Sequence, residues 1–196
     1  MTKNLDKEGL SSIVDNYQLF YVDLWGVVHN GVHLHDEAIK ALEEITKKGK
    51  DYVLLTNAPR PNNAVKSFLE KLGMKKEIRD HVFTSGEAAL TYLKKNLLDK
   101  NFYHIGSLRD FDLFKDFEKK KSDQIKKSDY ILCTGLFDNY QEDLTYYKNL
   151  FEENIKKKMI CTNPDLIVDR GGIREFCAGS IAMVFEKMGG EVIYFG

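Results

Sequence analysis

The chain has 196 residues, with 29 Lys plus Arg against 30 Asp plus Glu and a formal net charge of −1. That length suits one ordinary domain or a small core carrying an insertion. A composition of 43% hydrophobic and 30% charged residues excludes a disordered tail, and the balanced charge excludes a general polyanion or nucleic-acid binder. No apolar stretch reaches the roughly 18–20 residues that span a bilayer. Residues 1–18 carry no apolar signal segment. Cys133, Cys161 and Cys177 form neither a zinc motif nor a disulfide framework. The expectation is a reduced, cytoplasmic protein with no membrane or nucleic-acid partner; homo-oligomerisation stays open.

Short apolar runs rich in β-branched and aromatic residues alternate with helix-period segments. Leu19–Leu24 reads as a strand, followed by a helix over Asp36–Lys48 with Asp36 as N-cap and Gly49 just past its end. Ala38, Ile39, Leu42 and Ile45 give that helix one apolar face. Tyr52–Leu55 is the next strand, then a helix over Asn62–Leu72, a strand over His81–Thr84 and a helix from Ser85. Strand–helix alternation of this kind predicts a parallel sheet wound by helices. The rhythm repeats with strands at Phe102–Ile105, Tyr130–Cys133 and Met159–Cys161 and helices around Phe111–Phe117 and Glu142–Asn154. Lys119–Lys127 reads as a solvated loop or helix face. Leu166–Val168, a Gly171–Gly172 turn, a helix over Ala178–Met188 and a strand over Val192–Phe195 bring the chain back.

In a parallel sheet wound by helices, ligands sit beyond the carboxyl ends of the strands. Those ends carry Asp23, then Thr56 and Asn57, then Thr84 and Ser85, with a helix N-terminus beside the last pair to favour an anion. Thr56 and Ser85 also suit plain turn or N-cap roles. Asp23 lies inside LFYVDLWGVV, where a buried and unpaired carboxylate costs several kcal/mol. The pattern therefore calls for a cation, a hydrogen bond from the following turn, or a metal. A carboxylate held beside a divalent ion is a competent nucleophile toward phosphorus.

The strings VDLWGVVHNG (22–31), LLTNAPR (54–60) and VFTSGEAAL (82–90) resemble the first sequence blocks of the haloacid dehalogenase (HAD) superfamily, in particular class IIA, the NagD and nitrophenylphosphatase type. YHIG, CTGLFDNYQEDLTYYKNL, ICTNPD and AGSIAMVFEKMGG extend the likeness from about residue 17 to the last residue. The resemblance implies an α/β fold with a Rossmann-like parallel-sheet core and an inserted α/β cap, which accounts for the doubled rhythm. It places the first part of the core at 1–99, the cap at 100–172 and the return to the core at 173–196. It implies a magnesium-dependent phosphatase of a small phosphorylated metabolite. Asp23 corresponds to the nucleophile, which forms an aspartyl-phosphate, and Thr56 to the hydroxyl that binds the transferring phosphoryl group. Asn57 lies beside it. Asp23 and the backbone carbonyl of Trp25 correspond to metal ligands. The cap-strand ends at Gly106–Ser107, Thr134–Gly135 and Thr162–Asp165, with Asn163 and Asp165 among them, are candidates for substrate binding.

Two departures follow from the same comparison. Phosphatases of this family read D-x-D-G-[TV], the second Asp being the general acid and base, whereas here Trp25 stands at that place. Indole donates a hydrogen bond but shuttles no protons near neutral pH. His29, His33 and His35 follow closely, and His29 or His33 is the candidate substitute, against the plainer reading of loop histidines. The family also continues into a G-K-P lysine and an acidic G-D-x-x-x-x-D motif, while this sequence ends at Tyr194-Phe195-Gly196. The resemblance thus implies a C-terminal truncation that leaves strand one as an uncovered sheet edge. The complete parent is expected to be an enzyme, and catalysis by this chain is left open. The alternative is a non-catalytic binding or interaction protein on the HAD scaffold. No G-x-G-x-x-G supports a dinucleotide-binding domain.

Overall fold

The computed structural model describes residues 5, 9–140, 142–170 and 173–196, so the Gly171–Gly172 turn lies outside the described residues. The chain divides into two compact units. One holds the residues up to Leu55 together with Phe68–Val82; the other holds Thr56–Ser67 and Phe83–Gly196. Among the described residues no helix is long and apolar enough to cross a membrane.

The first seven regular elements are β1 (Leu19–Asp23), α1 (Asp36–Lys47), β2 (Asp51–Thr56), α2 (Asn62–Lys71), α3 (Lys76–Arg79), β3 (Val82–Thr84) and α4 (Ser85–Asn96). The three strands form one sheet in the order β1-β2-β3. β1 and β2 run parallel, from Leu19 opposite Asp51 to Asp23 opposite Leu55. β1 is the outer strand of this order. Its alternate residues Leu19, Tyr21 and Asp23 are exposed, with Tyr21 at 70%. In α1 the apolar face ends in buried Leu42 and Ile45, as its spacing predicts. Its N-cap is His35 rather than Asp36, and no side chain caps it. Asp36 is instead the first helical residue, where a carboxylate favours the positive end of the helix dipole.

The second series is β4 (Phe102–Ile105), β5 (Tyr130–Cys133), α5 (Leu144–Phe151), β6 (Lys158–Cys161), β7 (Ile167–Arg170), β8 (Ile173–Phe176), α6 (Ala178–Lys187) and β9 (Glu191–Tyr194). β4, β5, β6 and β9 make a parallel sheet in that order. β5 is buried along its whole length because both faces are covered. Ile131 and Cys133 point into one cluster with Met159, Phe151, Ile181 and Phe185. Tyr130 and Leu132 point into another with Phe102, Phe114, Phe117 and Ile160. The three cysteines are buried and form no disulfide among the described residues, Cys133 and Cys161 are core residues, and burial pushes the Cys161 thiol up to about 12.

The segment Phe111–Phe117 is not the expected α-helix. It forms 3₁₀ turns at Leu108–Leu113 and Lys115–Lys120, interrupted by non-helical backbone with φ −127° at Phe114 and −132° at Phe117. Both rings pack edge-on against Phe102, at 5.4 and 5.7 Å, and that packing outweighs helical regularity. β8 has no alternating apolar signature. It pairs antiparallel with β7, and Asp169 faces Arg174 in register and receives two of its hydrogen bonds, at 2.9 and 3.1 Å.

Phe185 on α6 is fully buried, 4.9 Å from Phe151, and the missing Cβ of Gly190 leaves room for its ring, which a side-chain carbon there would meet at 2.3 Å. Phe185→Ala is expected to lower unfolding free energy by about 3–5 kcal/mol, read from urea denaturation midpoints at unchanged slope.

Candidate functional site

Asp23 closes β1 and is exposed, contrary to the desolvated environment expected from its apolar neighbours. The side chains of β1 alternate, and the face shared by Leu19, Tyr21 and Asp23 is exposed. Of the three ways of holding this carboxylate, the structure shows the turn. The Leu24 N–H donates to Oδ1 at 2.8 Å, and among the described residues Oδ2 accepts no hydrogen bond. Leu24 N–H is not the only tie here. Val28 and His29 N–H both donate to the Leu24 carbonyl, and Gly26 adopts φ +78° with its N–H on the His29 carbonyl at 2.7 Å. The tight loop following Asp23 therefore favours glycine at position 26.

Trp25 and His29 have structural work within that loop. The indole lies over Gly31, where an added Cβ would meet Cη2 at 2.7 Å at φ +89°. The His29 ring stands edge-on to both Trp25, at 5.3 Å, and Phe68, at 5.7 Å. His29 is only 3% exposed, and its Nδ1 accepts the Gly31 N–H at 2.9 Å, so the ring proton resides on Nε2. Burial lowers its pKa, the nearby His35 adds to this and Asp23 opposes it. A neutral, enclosed imidazole with one nitrogen committed to the backbone is a poor substitute for the absent Asp. His33 is exposed and contacts Asn30, whose side-chain oxygen accepts from the Val32 and His33 N–H groups.

Leu55, the register partner of Asp23, is followed in the chain by Thr56. Thr56 Oγ1 accepts the Ala58 N–H at 3.3 Å. Asn57 donates from Nδ2 to Asp165 Oδ1 at 2.8 Å, and the Asp165 N–H bonds Asn163 Oδ1 at 2.9 Å. Three of the sequence-predicted residues, Asn57, Asn163 and Asp165, thus form one cluster. The carboxyl-terminal Gly196 closes on it: a Cβ there would lie 2.6 Å from Asn57 Oδ1 and 2.5 Å from Pro164 Cδ.

Thr84 and Ser85, expected at the rim, turn inward instead. Thr84 Oγ1 donates to the Arg60 carbonyl at 2.6 Å and accepts the Glu87 N–H at 2.8 Å as the N-cap of α4. Ser85 Oγ lies between the carbonyls of Ala58 (3.1 Å) and Thr162 (2.7 Å), and the Gly86 N–H bonds the Ala58 carbonyl. The Gly86 and Glu87 N–H groups at the start of α4 are therefore satisfied within the chain itself.

Sequence reasoning missed a buried polar chain. His104 Nε2 lies 2.9 Å from Thr134 Oγ1, Thr134 Oγ1 donates to Asp110 Oδ2 at 2.9 Å, and Arg60 Nε donates to Asp110 Oδ1 at 3.3 Å. Since Thr134 gives its proton to Asp110, His104 is the donor to Thr134. Gly106 permits the approach: a Cβ there would be 2.0 Å from Thr134 Oγ1. The one legible signal was the polar strand end Thr134–Gly135; nothing in the sequence around Asp110 marks it as buried.

With this geometry in hand, comparison with known proteins is decisive. The sequence pattern of haloacid dehalogenase-like hydrolases matches residues 20–119. The chain belongs to that family. A solved haloacid dehalogenase-like hydrolase from Brucella suis is 30% identical with a TM-score of 0.84, covering 98% of this chain and 72% of that one. The 4-nitrophenylphosphatase of Thermotoga maritima shares the fold at 22% identity and a TM-score of 0.68, over 93% of this chain and 69% of that one. Phosphoglycolate phosphatase 2 of Arabidopsis thaliana is 36% identical over 110 residues, which are 52% of this chain and 35% of that protein. The matched stretch thus spans about a third of that relative. The fold is the α/β class IIA type, NagD and nitrophenylphosphatase-like, with a Rossmann-like core plus cap.

Burial lowers the His104 pKa to about 3, and the Lys121 charge adds to this. A histidine held neutral in this way stabilises the fold above its unfolded pKa of about 6.5, and that contribution is lost as pH falls toward about 3. Asp110 works in the opposite sense, because burial raises its pKa against Thr134, Arg60 and Arg109, so its protonation offsets part of the loss. Between about pH 7 and about pH 4, His104→Gln is therefore expected to lose less stability than the unsubstituted protein, as measured by chemical denaturation at each pH.

Proposed function

We propose that this protein is a phosphatase-type hydrolase of a small phosphorylated metabolite, with Asp23 as nucleophile. The observation that carries the reading is the Asp23 carboxylate: exposed at the carboxyl end of a parallel strand, with Oδ1 held by the Leu24 N–H and Oδ2 uncommitted. Attack of Oδ2 on phosphorus forms the aspartyl-phosphate as the ester P–O bond breaks and the leaving oxygen takes a proton from solvent; water then attacks phosphorus, breaks the P–Oδ2 bond, releases phosphate and regenerates the Asp23 carboxylate. Thr56 is assigned to the transferring phosphoryl group. Asn57, Asn163 and Asp165 are assigned to the substrate side, where their mutual hydrogen bonds fix the loop.

Magnesium fits the donor chemistry in a limited sense. Among the described residues no group of three or more His, Cys, Asp or Glu side chains gathers into a metal site. An ion held by Asp23 and the Trp25 carbonyl would complete its shell with water and substrate oxygens, a habit of magnesium. When bound it supplies charge neutralisation for the phosphoryl group. The core and cap boundaries, 1–99, 100–172 and 173–196, and a cytoplasmic location belong to the same proposal.

A second reading is favoured by one feature. With Trp25 packed on Gly31 and His29 enclosed with Nδ1 on the Gly31 N–H, neither supplies the proton transfer of the family's second Asp, so the scaffold would bind a phosphorylated ligand and turn it over slowly or not at all. The absence of a general acid–base group typically costs about 10²–10⁴-fold in rate.

Magnesium-dependent hydrolysis of p-nitrophenyl phosphate separates the two. The phosphatase reading predicts a slow rate that disappears in Asp23→Asn and rises on the order of 10²-fold in Trp25→Asp. Equal rates with and without Asp23 would remove the nucleophile assignment. No rate in any variant, together with tight phosphate binding, would favour the binding protein.

A further inference from the structure

The division of the chain falls between Leu55 and Thr56, so the segment Thr56–Ser67 groups with the second unit although it continues directly from β2. Hydrogen bonds within that unit account for the grouping. Asn57 is tied to Asp165, the Ala58 carbonyl to Ser85 and to the Gly86 N–H, and the Arg60 carbonyl to Thr84. Thr56 is fastened through the same stretch, since its Oγ1 accepts the Ala58 N–H. A further tie is of another kind. The Arg60 side chain reaches a buried carboxylate, donating from Nε to Asp110 Oδ1 at 3.3 Å.

Asp110 is an unfavourable residue to bury. Its side chain is 3% exposed, and burial raises its pKa against the opposing effects of Thr134, Arg60 and Arg109. For stability alone, well-packed apolar residues often serve as well as a buried ion pair or better. What a carboxylate adds is direction, because a satisfied buried polar network rigidifies the groups that compose it. Oδ2 accepts the Thr134 hydroxyl at 2.9 Å, and His104 Nε2 lies 2.9 Å from that hydroxyl. His104 belongs to β4 and Thr134 directly follows β5, and both are at most 5% exposed. The carboxylate is thus anchored to two strands of the second sheet, with Oδ1 left for Arg60. Pro59 and Pro61 restrict the backbone on either side of Arg60, so fixing its side chain also fixes its neighbours.

We propose that Asp110 is a positioning residue of the phosphatase site: anchored by Thr134 and His104, it holds Arg60 and thereby sets the loop that presents Thr56 to the phosphoryl group. The inference rests on the phosphatase reading for the role of Thr56. It goes beyond that reading in placing control of the loop in β4 and β5. Neither Asp110 nor Arg60 has to touch the ligand; both act through the backbone of the loop.

Amide hydrogen exchange over residues 56–65, with calorimetry using inorganic phosphate and magnesium, tests this. Asp110→Asn is expected to speed exchange in that segment and to weaken phosphate binding, each on the order of 10-fold, while exchange in β1 stays as it was. Arg60→Met, made at the partly exposed end of the pair, is expected to do the same and carries the test should Asp110→Asn fail to fold. Asp110→Glu and Arg60→Lys keep the charges and are expected to restore part of both readouts. Phe185→Ala is the control, because it destabilises the same unit from α6 without touching this chain of groups, and it is expected to leave both readouts unchanged. Unchanged exchange and affinity in folded Asp110→Asn or Arg60→Met protein, or equal changes in Phe185→Ala, overturns the inference. The two proposals fail separately. A loop that responds to Asp110 when no variant binds phosphate removes the phosphatase reading and leaves the hold of Asp110 on the loop standing; phosphate binding indifferent to Asp110 does the reverse.

Discussion

The segment that carries Thr56, Asn57 and Arg60 depends on one buried hydroxyl. Ser85 Oγ lies within hydrogen-bond distance of two carbonyls, those of Ala58 and Thr162, from segments more than 100 residues apart in sequence. It has one proton to donate, and the shorter contact, 2.7 Å to Thr162, is the stronger claim on it. Around it the Gly86 N–H binds Ala58, Thr84 binds Arg60, and the Glu87 carboxylate accepts the Asn62 N–H while Asn62 Oδ1 accepts the Thr84 N–H. The loop after β2 and the N-terminus of α4 thus satisfy each other's polar groups. Asn57 and Asp165 add a further clasp to the Thr162–Asp165 segment. A loop held by this many hydrogen bonds presents its side chains with little residual freedom.

The same economy explains why helix N-termini here are not ligand sites. α4 is capped by Thr84 and by the preceding loop, and the first turn of α6 gives its Gly179 N–H to the Asp165 carbonyl. Gly179 is required for that approach, since a Cβ would lie 2.1 Å from the Pro164 carbonyl oxygen.

Much of the fold was legible because the apolar pattern is local. Strand β1, the helix from Ser85, and the buried run Tyr130–Cys133 follow from period and turn residues alone. What the pattern omits is pairing. The segment Val192–Phe195 reads as a strand, but its place beside β6 is a matter of register that no local signal carries. The 3₁₀ turns around Phe114 and the hairpin strand Ile173–Phe176 escaped for related reasons: aromatic packing on Phe102 sets the first, and a cross-strand Asp169–Arg174 pair supports the second. The site divides in the same way. Motif residues Asn57, Asn163 and Asp165 converge, whereas Asp110 and His104 became visible only when a glycine, Gly106, let three separate elements meet. Asp23 is exposed despite its apolar neighbours in sequence because alternate residues of a strand point to opposite faces, and its face is open.

The central claim is that Asp23 becomes phosphorylated. The most direct test is to mix the protein with a phosphorylated substrate and magnesium, quench in acid and locate any added phosphoryl group by peptide mass spectrometry. The account predicts a trapped acyl phosphate on Asp23 that hydroxylamine removes. A phosphoryl group on another residue, or substrate turned over with none trapped at Asp23, would contradict it.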